Sequence, residues 1–582
     1  MRTLISLFVI CSTSCLGINK LAIAELKAGK RTEANVYWWV DDKNDNTQAL
    51  QSALNSGAKR VIIPYKATPW ISGPLFLRSN QEIILAKGAI LQAKDDAFHK
   101  INTKFLNVKQ VENITIRGYF ATIRMNRARY IQPPFYRSES RHIIDINGSK
   151  NIKIIGLSLT DGGGDGICIS NGSEQYYSEN ILLKDLKCLR NFRQGLSVVS
   201  AKNLTVENCS FSETGGALPG IGVNLEPEND KDCLENIVFQ NCRMKNNNGT
   251  GFSISAFNLT ENAVPFSIKL EDCVIDGSWQ AGIAISGITW DGPNGIVDII
   301  NCEIKNTLGP GIYVKEKSST RLKIRFLKCK LVNTALGMKH DWPEKPWIPK
   351  QSYWLTKAKL NAPIVIASTR PHLGKHVGDL TFIDCIVHQN RSNSTIILFD
   401  LKHKNYAQRI KGTIKLLDHK RPYLKGQEIC YDVNFRFVDA DNKQIGWFLG
   451  KRWPKYTPIQ TNIKIMSRKL GEYYSIRKGR ITYKAILTPK IKAHDYRLGF
   501  RYKTLSGFQG HVLLKAPGTS LLMKATSNKW KTVALHGVEL SKSGEFAGKI
   551  PINISAVHTS NRINQIGVKN WHLAVEKIIS DK

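Results

Sequence analysis

Short alternating runs of apolar and polar residues recur along the middle of the chain at a nearly constant interval. In one run a glycine precedes an apolar-x-apolar stretch, and successive glycines are 29, 27, 29, 31 and 29 residues apart. Strands this short cannot bury a face alone, but stacked coils with rungs about 4.8 Å apart close a continuous core. The pattern therefore predicts an all-β protein built on a parallel β-helix, whereas a β-sandwich of hairpins would need a turn about every 8–12 residues. The six runs are GICIS (166–170), GLSVV (195–199), GVNLE (222–226), GFSIS (251–255), GIAIS (282–286) and GIYVK (311–315).

A second recurring run contains a cysteine, as in NLTVENCSF (203–211) and NIVFQNCRM (236–244). Stacked inward positions would make these cysteines a column of buried thiols, which behave as small hydrophobic side chains. The sequence holds no C-x-x-C pair with zinc-type spacing. We therefore predict that they are unpaired core residues. The seven cysteines assigned to this position are Cys188, Cys209, Cys242, Cys273, Cys302, Cys329 and Cys385.

The repeat divides the chain into three predicted parts. Residues 1–24 are typical of a signal peptide, with a basic start, a mostly apolar stretch and an A-x-A-like site at 22–24. Residues 25–400 are assigned to a catalytic β-helix domain, which opens with a capping helix in DNTQALQSALNSG (45–57). Residues 401–582 lose the repeat. Their alternating stretches predict a C-terminal β-sandwich, which either binds carbohydrate or supports the solenoid.

The predicted signal peptide and the net charge together indicate where the protein acts and what kind of molecule it binds. We expect a secreted or periplasmic protein; lipid anchoring at Cys15 is an alternative, against which Ser12 argues. No later apolar run has the ~20 residues that a transmembrane helix needs. The formal net charge of +36 favours a polyanionic partner, and export makes this an acidic polysaccharide rather than nucleic acid. We predict no cofactor; Ca²⁺ stays open without support, as does the oligomeric state.

Several stretches carry a resemblance to known proteins. WWVDDKNDNTQALQSALNSGAKRVIIP (38–64) resembles the N-terminal segment of the pectate-lyase-like right-handed parallel β-helix superfamily. GGGDGICIS (162–170), NFRQGLSVVSAKNLTVENC (191–209) and GVNLEPEN (222–229) resemble coil motifs of its bacterial polysaccharide-degrading branch. The resemblance covers about residues 35–390 and implies the fold. It leaves hydrolase, lyase, epimerase and noncatalytic adhesin open, because this fold carries many functions. The ordered motifs of polygalacturonases and the calcium-binding aspartates of pectate lyases are absent.

Outward positions of the glycine-led strands stack into columns, because side chains alternate between the two faces of a strand. The first predicted column begins with His142, Asp165 and Gln194. The second begins with Asp145, Cys168, Ser197 and Asn224 and is predicted to end at Lys339. The third contains Asn147, Ser170, Glu226 and Lys315 and is predicted to end at Asp341.

Glu226 is the leading catalytic candidate, with Asp165 and His142 as assisting residues. Asn224 and Glu226 share one face, an arrangement similar to the two acids of iota-carrageenases, but Asn224 stands where that pattern has an aspartate. A second acid would then come from Asp165 or from a loop. The structural alternatives are a salt bridge from Glu226 to Arg193 and ordinary turn chemistry at the glycines beside Asp165.

Basic and aromatic side chains crowd the expected rim of the groove, in the stretches 124–142 and 337–354. Arginine binds carboxylate or sulfate with two hydrogen bonds, and aromatic faces stack on sugar rings. Two such insertions in a regular solenoid favour binding over incidental loops. The predicted substrate-binding residues are Arg141, Arg193, Gln194, Asn224, Tyr130, Arg137, Lys315, Lys339, Trp342 and Trp347.

These observations lead to three hypotheses. The first is a secreted glycoside hydrolase that cleaves an anionic polysaccharide, with sulfated polysaccharides among the candidates, by carboxylate acid–base catalysis. The second is a polysaccharide lyase, in which a basic side chain neutralises a uronate and a Lys, His or Tyr removes the α-proton. The third is a noncatalytic glycan-binding surface protein. Product absorbance in the ultraviolet separates the second from the first, and the absence of any product leaves the third.

Overall fold

The computed structural model describes most of the chain up to residue 449 and, beyond it, only strands. The described ranges are 18–39, 41–288, 292–337, 361–369, 376–389, 395–403, 405–418, 422–426, 430–449, 472–476, 479–487, 495–504, 510–516, 519–523, 531–539, 550–558 and 564–575. The chain divides into two compact units, residues 1–450 and 451–582.

The first unit is a parallel β-helix, as predicted. Each described strand pairs in parallel with the equivalent strand of the next coil, except that the last described pair of this unit, Cys430–Val438 with Gln444–Leu449, is antiparallel. One face of the solenoid is a 12-stranded sheet, here called sheet 1. Its strands are Leu75–Phe76, Leu106–Lys109, Ile144–Asn147, Ile167–Ser170, Leu196–Val198, Val223–Leu225, Phe252–Ser255, Ile283–Ser286, Ile312–Lys315, Ile364–Ser368, Ile397–Leu401 and Leu424–Lys425.

The other faces form a 23-stranded sheet, here called sheet 2. Long strands hold it together because they pair with two strands of the next coil; Lys150–Thr160 pairs with Ser178–Lys184 and with Lys187–Leu189. The strands are Glu33–Asn35, Arg60–Ile63, Trp70–Ser72, Gln81–Leu85, Ile90–Ala93, Glu112–Arg124, Lys150–Thr160, Ser178–Lys184, Lys187–Leu189, Ala201–Glu207, Ser210–Ser212, Leu234–Gln240, Arg243–Lys245, Phe266–Glu271, Val274–Asp276, Gly295–Ile300, Glu303–Lys305, Lys323–Leu327, Lys330–Val332, His376–His388, Tyr406–Leu416, Cys430–Val438 and Gln444–Leu449.

The glycines stack as predicted, and contact between coils explains why they are glycines. A Cβ atom added to Gly195 would lie 2.5 Å from the carbonyl oxygen of Gly222, and one added to Gly222 would lie 2.6 Å from that of Gly251. Any side chain here would push neighbouring rungs apart. The repeated glycine therefore sets the close stacking of sheet 1.

The cysteines are buried and unpaired, as predicted, with one correction to their register. Cys209, Cys242, Cys273, Cys302, Cys329 and Cys385 are free and buried. Cys188 is also free and buried, but it aligns with Phe211, two residues beyond the stacked position. Leu186 therefore occupies the rung above Cys209, and the column holds six of the seven predicted cysteines. Leucine fills this site because the position requires an apolar side chain and not a thiol.

An asparagine ladder supports the turns between coils. Asn151, Asn180, Asn203 and Asn236 all have positive φ, between 54° and 58°. Each side-chain amide donates to the amide oxygen of the preceding ladder residue, for example Asn203 Nδ2 to Asn180 Oδ1 at 3.0 Å. Asparagine tolerates this left-handed conformation better than most residues, and its amide can both donate and accept.

The N-terminal end is closed by helices. An α-helix covers Lys20–Lys27, a 3₁₀ turn covers Val36–Trp38, and the predicted capping helix spans Thr47–Leu54. The capping helix buries Ala49, Leu50, Ala53 and Leu54 against the first coils. The predicted cleavage site at 22–24 lies within the first helix; the signal peptide stays a prediction, since residues 1–17 lie outside the described part.

The parallel coils continue past residue 400, the boundary expected from the sequence. Tyr406–Leu416 pairs in parallel with His376–His388, and Cys430–Val438 with Tyr406–Leu416. These rungs escaped the sequence pattern because they lack the glycine that marks earlier coils. The second unit contains two antiparallel four-stranded sheets, and their packing into a sandwich stays a prediction. In sheet order the strands are Glu472–Ile476, Asn564–Val575, Asp495–Thr504, Lys531–Glu539; and Gly479–Leu487, Ile550–His558, Gly510–Ala516, Thr519–Met523.

Candidate active site

The strand register of sheet 1 brings the predicted catalytic residues together. Ile144 aligns with Ile167, and Ile167 with Leu196. Because each candidate lies two residues before these positions, His142, Asp165 and Gln194 follow one another along the first column. The second column, Asp145, Cys168, Ser197 and Asn224, has the predicted register as well.

The far ends of the predicted columns are wrong. Tyr313 aligns with Val365 and Lys315 with Ala367, so that Lys339 and Asp341 do not continue the columns. The reason is a long insertion between two consecutive strands of sheet 1, Ile312–Lys315 and Ile364–Ser368. Lys339, Trp342 and Trp347 belong to this insertion and lie outside the described residues.

Glu226 accepts hydrogen bonds from four side chains. Ser197 Oγ and Gln194 Nε2 donate to Oε1 at 2.6 and 3.2 Å, while Asn224 Nδ2 and Arg193 Nη2 donate to Oε2 at 2.7 and 3.0 Å. An ionised carboxylate offers about four lone pairs, and these four donors match them. The side chain remains 21% exposed. Glu226 is thus a fixed carboxylate at the surface of sheet 1.

Asp165 is a buried carboxyl group, in contrast to Glu226 at the surface. It is fully buried, and burial raises its pKa to about 8, with the nearby charge of Glu226 adding to the rise against the opposing effect of Arg193. Its Oδ2 accepts from Arg193 Nη1 at 3.2 Å, and no described group pairs with its buried Oδ1. Burial thereby favours the protonated form of Asp165 at neutral pH.

Arg193 joins the acids. Its guanidinium contacts Asp165 and Glu226, and its Nε lies 3.6 Å from Oε2 of Glu139. Burial disfavours the charged form, but Asp165 and Glu226 outweigh this and raise the pKa of Arg193. Glu139 belongs to the loop before sheet 1 and its side chain is 50% exposed. Two accessible carboxylates, Glu139 and Glu226, thus flank one guanidinium.

His142, expected to assist Glu226, is bound to the backbone of Asp165. Its Nδ1 accepts the backbone N–H of Asp165 at 2.9 Å, while the Asp165 carboxylate lies 3.4 Å away. Burial lowers the pKa of His142, followed by the charges of Lys104 and Arg193, so the ring is neutral. With Nδ1 accepting, the ring proton resides on Nε2. His142 therefore has no free lone pair with which to act as a base.

Among the described residues, His142, Asp145 and Cys168 form the cluster that could hold a metal ion, with ligand atoms within 4.8 Å of one another. A nitrogen, a carboxylate and a thiolate would suit zinc better than Ca²⁺. Binding at either nitrogen of His142 would break its hydrogen bond or shift its proton, which counts against a metal here. That the protein has no metal cofactor stays a prediction.

The glycines beside Asp165 combine turn geometry with close packing. Asp161 has φ 57° and makes two hydrogen bonds to Arg190, which is turn chemistry. A Cβ on Gly163 would lie 2.5 Å from the Tyr130 ring, and one on Gly164 would lie 2.5 Å from the carbonyl oxygen of Glu139. The glycines thus let the preceding loop close over Asp165 and bury it.

Two predicted binding residues of that loop face inward. Arg141 is fully buried and donates to the backbone carbonyls of Phe98, His99 and Tyr136. Tyr130 is buried, and burial raises its pKa. Both residues hold the loop in place and do not present their side chains to a glycan, because the loop folds back onto the coil.

The other predicted binding residues have varied positions. Arg137 is exposed on the loop, and Lys315 is half-buried on sheet 1, further toward the C-terminal coils. Gln194 and Asn224 are buried and bind Glu226. Glu139 and Lys104 were missed. Lys104 Nζ donates to the carbonyl oxygen of Ser140 at 2.6 Å, beside the acid cluster. Lys104 could have been found from the sequence if the strand at 106–109, which no glycine marks, had been aligned with the strands of the later coils.

Comparisons with known proteins agree with the fold. The family described as "Right handed beta helix region" matches residues 98–287. Two curated Bacillus subtilis (strain 168) proteins, the SPbeta prophage-derived uncharacterized protein YorA and the uncharacterized protein YclG, are each 26% identical over 38% of this chain. The chain spans about two fifths of their length, 39% and 42%.

Two solved structures of low sequence identity are also similar to part of the chain. The Azotobacter vinelandii mannuronan C-5 epimerase AlgE4 A-module has 13% identity and a TM-score of 0.44, over 68% of this chain and 97% of its own. A Yersinia enterocolitica family 28 exopolygalacturonase has 16% identity and a TM-score of 0.39, over 71% and 79%.

Similarity at this level says nothing about activity. In the part of the chain that the structure describes, no helix is long and apolar enough to cross a membrane. The strand pairing and the family match agree on one architecture. The expected resemblance is thereby confirmed at the level of the fold: residues 98–287 match the right-handed β-helix family, and the described coils pair as a parallel β-helix.

Proposed function

We propose that the protein is an enzyme that hydrolyses glycosidic bonds in an anionic polysaccharide, with sulfated galactans among the first substrates to test. The observation that carries the proposal is the acid cluster on sheet 1. Two accessible carboxyl groups, Glu226 and Glu139, flank the guanidinium of Arg193, and Glu226 is held by four donors. A pair of carboxyl groups is the usual catalytic equipment of glycosidases.

Glu226 is the proposed general base, because it is the accessible and firmly oriented carboxylate. Glu139 is the proposed second carboxyl group, which would protonate the leaving oxygen; it lies across the same guanidinium and reaches solvent. Asp165 touches no solvent, so its proposed role is to position Arg193 without adding another negative charge. Glycosidases commonly use two carboxyl groups on either side of the scissile bond.

The lyase alternative requires a base that removes a proton next to the uronate carboxyl group. Two of the bases that the sequence suggested are unsuited to this. His142 holds its proton on Nε2 and is buried, and burial raises the pKa of Tyr130. Arg193 could neutralise a uronate, but among the described residues neither His142 nor Tyr130 is suited to act as its base, whereas Glu226 and Glu139 supply the two carboxyl groups that hydrolysis uses.

We also propose that the protein works outside the cytoplasm, which stays tied to the predicted leader at 1–24. A basic surface suits this role, since a net charge of +36 attracts acidic glycans through long-range electrostatics. Binding to such a glycan should weaken steeply with salt, because exposed charges are screened within about 8 Å at physiological ionic strength.

The test is a panel of purified sulfated and uronate polysaccharides, with neutral dextran for comparison. New reducing ends without ultraviolet absorbance are expected. Unsaturated products that absorb in the ultraviolet would show that the reaction is elimination and not hydrolysis. Binding without any product would show that the protein is noncatalytic.

Variants then test the assignment. Glu226→Gln and Glu139→Gln should each lower kcat by about 10²–10⁴-fold, the usual contribution of acid–base help. Glu303→Gln, a surface change on sheet 2, is the matched control and should leave kcat unchanged. Near-normal activity of Glu226→Gln would end this assignment.

A further inference from the structure

A cleft of about 570 Å³ opens beside the N-terminal coils of sheet 1. Its size lies in the range of small-molecule sites, about 300–1,000 Å³. Residues 97–104, which connect sheet 2 to sheet 1, form one wall. The residues of the cleft that carry chemistry are Phe76, His99, Lys100, Thr103, Lys104 and Asn107.

The cleft lies along the same sheet as the candidate active site. Phe76 aligns with Asn107, Asn107 with Asp145, and Asp145 with Cys168, which lies on the rung of Asp165. With rungs about 4.8 Å apart, Asn107 is about 10 Å from the rung of Asp165 along the helix axis. An extended oligosaccharide on the face of sheet 1 would reach both places, and a monosaccharide would not.

The chemistry of the cleft favours an anion. Two lysines and a histidine line it, and none of the described residues that line it is acidic. Lys104 is held by its hydrogen bond to the carbonyl oxygen of Ser140. On the next rung, burial raises the pKa of Asp145, which limits the negative charge that an incoming anion would meet.

The cleft also has a surface for the body of a sugar. The Phe76 side chain is 55% exposed, and a large apolar side chain left open to solvent beside cations is a common feature of ligand sites. Asn107 supplies an amide at the floor; its Nδ2 donates to the carbonyl oxygens of Leu75 and Lys104. An aromatic face, an amide and cations match a sugar that carries a carboxylate or sulfate group.

We propose that this cleft is a subsite for one anionic sugar unit of a polysaccharide that extends along sheet 1 from Glu226 toward the N-terminal coils. The proposal rests on the proposed function for the position of the scissile bond, but not for binding itself. It has a consequence for substrate choice. Chains too short to span the cleft and Glu226 together would lose the contact and bind more weakly.

Binding is tested first, separately from turnover. The double variant Phe76→Ala/Lys100→Ala changes two side chains at the surface of the cleft; Lys153→Ala, on sheet 2, removes an exposed lysine elsewhere. Affinity electrophoresis is run in gels that contain polygalacturonate, alginate, iota-carrageenan or dextran. At least one anionic polysaccharide should retard the wild-type protein, and the double variant should bind it at least about tenfold more weakly, the loss that one charge-assisted hydrogen bond carries. The control should bind normally.

The outcomes separate the two proposals. Retardation that the double variant loses, without cleavage of any polysaccharide, would keep the subsite and remove the hydrolase. Cleavage with an unchanged Michaelis constant in the double variant would keep the hydrolase and remove the subsite. Retardation by dextran as strong as by the anionic chains, or by none of them, would also overturn the subsite. If both hold, the variant should raise KM for long chains and leave kcat unchanged.

Discussion

Replacing Asp165 by asparagine should change how the stability of the protein depends on pH. Asparagine is a neutral side chain of the same shape as a protonated aspartic acid. Its oxygen can still accept from Arg193 Nη1, and its amide would take the place of Oδ1, which pairs with no described group. The substitution therefore mimics the protonated form and removes the ability to ionise.

The magnitude follows from the difference between the folded and unfolded proton affinity. Burial raises the pKa of Asp165 to about 8, from a usual value near 3.9 in an unfolded chain. Protonated Asp165 therefore adds stability fully below about pH 4, and this is lost as the pH rises to about 8. Within that window one proton corresponds to a fall of about 1.4 kcal/mol per pH unit. Between pH 5 and 7.5 the wild type should thus lose up to about 3 kcal/mol that Asp165→Asn keeps.

The assay is urea unfolding of both proteins at several pH values, followed by tryptophan fluorescence and circular dichroism so that coincident transitions justify a free energy. His142 titrates in the same window with the opposite sign, since burial lowers its pKa, but both proteins retain it. Glu303→Gln is the control. Because Lys305 lowers the pKa of Glu303, the free energy of unfolding of this variant should differ from that of the wild type by no more than about 1 kcal/mol, and its dependence on pH between about 5 and 7.5 should be unchanged. Parallel curves for the wild type and Asp165→Asn would refute the protonated state of Asp165.

Three further predictions concern the solenoid. Gly222→Ala should lower the free energy of unfolding by about 1–3 kcal/mol, because its Cβ would press on the carbonyl oxygen of Gly251; an unchanged urea midpoint would contradict this. Asn203→Ala should cost a similar amount, since it removes two ladder hydrogen bonds and strains a positive φ; Asn203→Gly, which relieves only the strain, should recover part of the loss. The six stacked cysteines should resist thiol reagents in the native protein and react in denaturant, and intact-mass labelling that finds them oxidised in pairs would contradict the buried column.

The fold was predictable because its physical constraints repeat. A glycine whose Cβ would strike the next coil recurs in every turn from Gly166 to Gly311, and so the interval of the coils is visible in the sequence. Where the constraint is absent the prediction stops. The coils beyond residue 400 lack the glycine, and the coil that contains the strand at 106–109 lacks it as well and carries a long loop after Glu112–Arg124. Cys188 shows the opposite error. It is a cysteine, like the residues of the column, but it lies two positions beyond the stacked position, and counting it as a member gave a wrong register.

The site was predictable only in part, since burial depends on loops and not on the repeat. The position of Glu226 follows from the strand register, and the salt bridge to Arg193, given from the sequence as the structural alternative to a catalytic role, forms. The burial of Asp165 depends on the loop that ends at Arg141, whose guanidinium turns inward onto backbone carbonyls. The sequence shows that this loop is rich in basic and aromatic residues, but not whether their side chains point outward or inward. It therefore could not show that Arg141 and Tyr130 face the interior.

The four donors around Glu226 place a requirement on any mechanism that uses it as a base. Its lone pairs are occupied in the unliganded protein, and a water molecule can be activated only if one donor leaves. Arg193 is the donor that an anionic substrate would attract, because it alone among the four carries a charge. A sulfate or carboxylate that draws Arg193 Nη2 away would free a lone pair on Glu226 in the same step. Recognition of the anion and activation of the base would then be one event, which is a physical reason for an arginine, rather than a neutral donor, to stand between the acids.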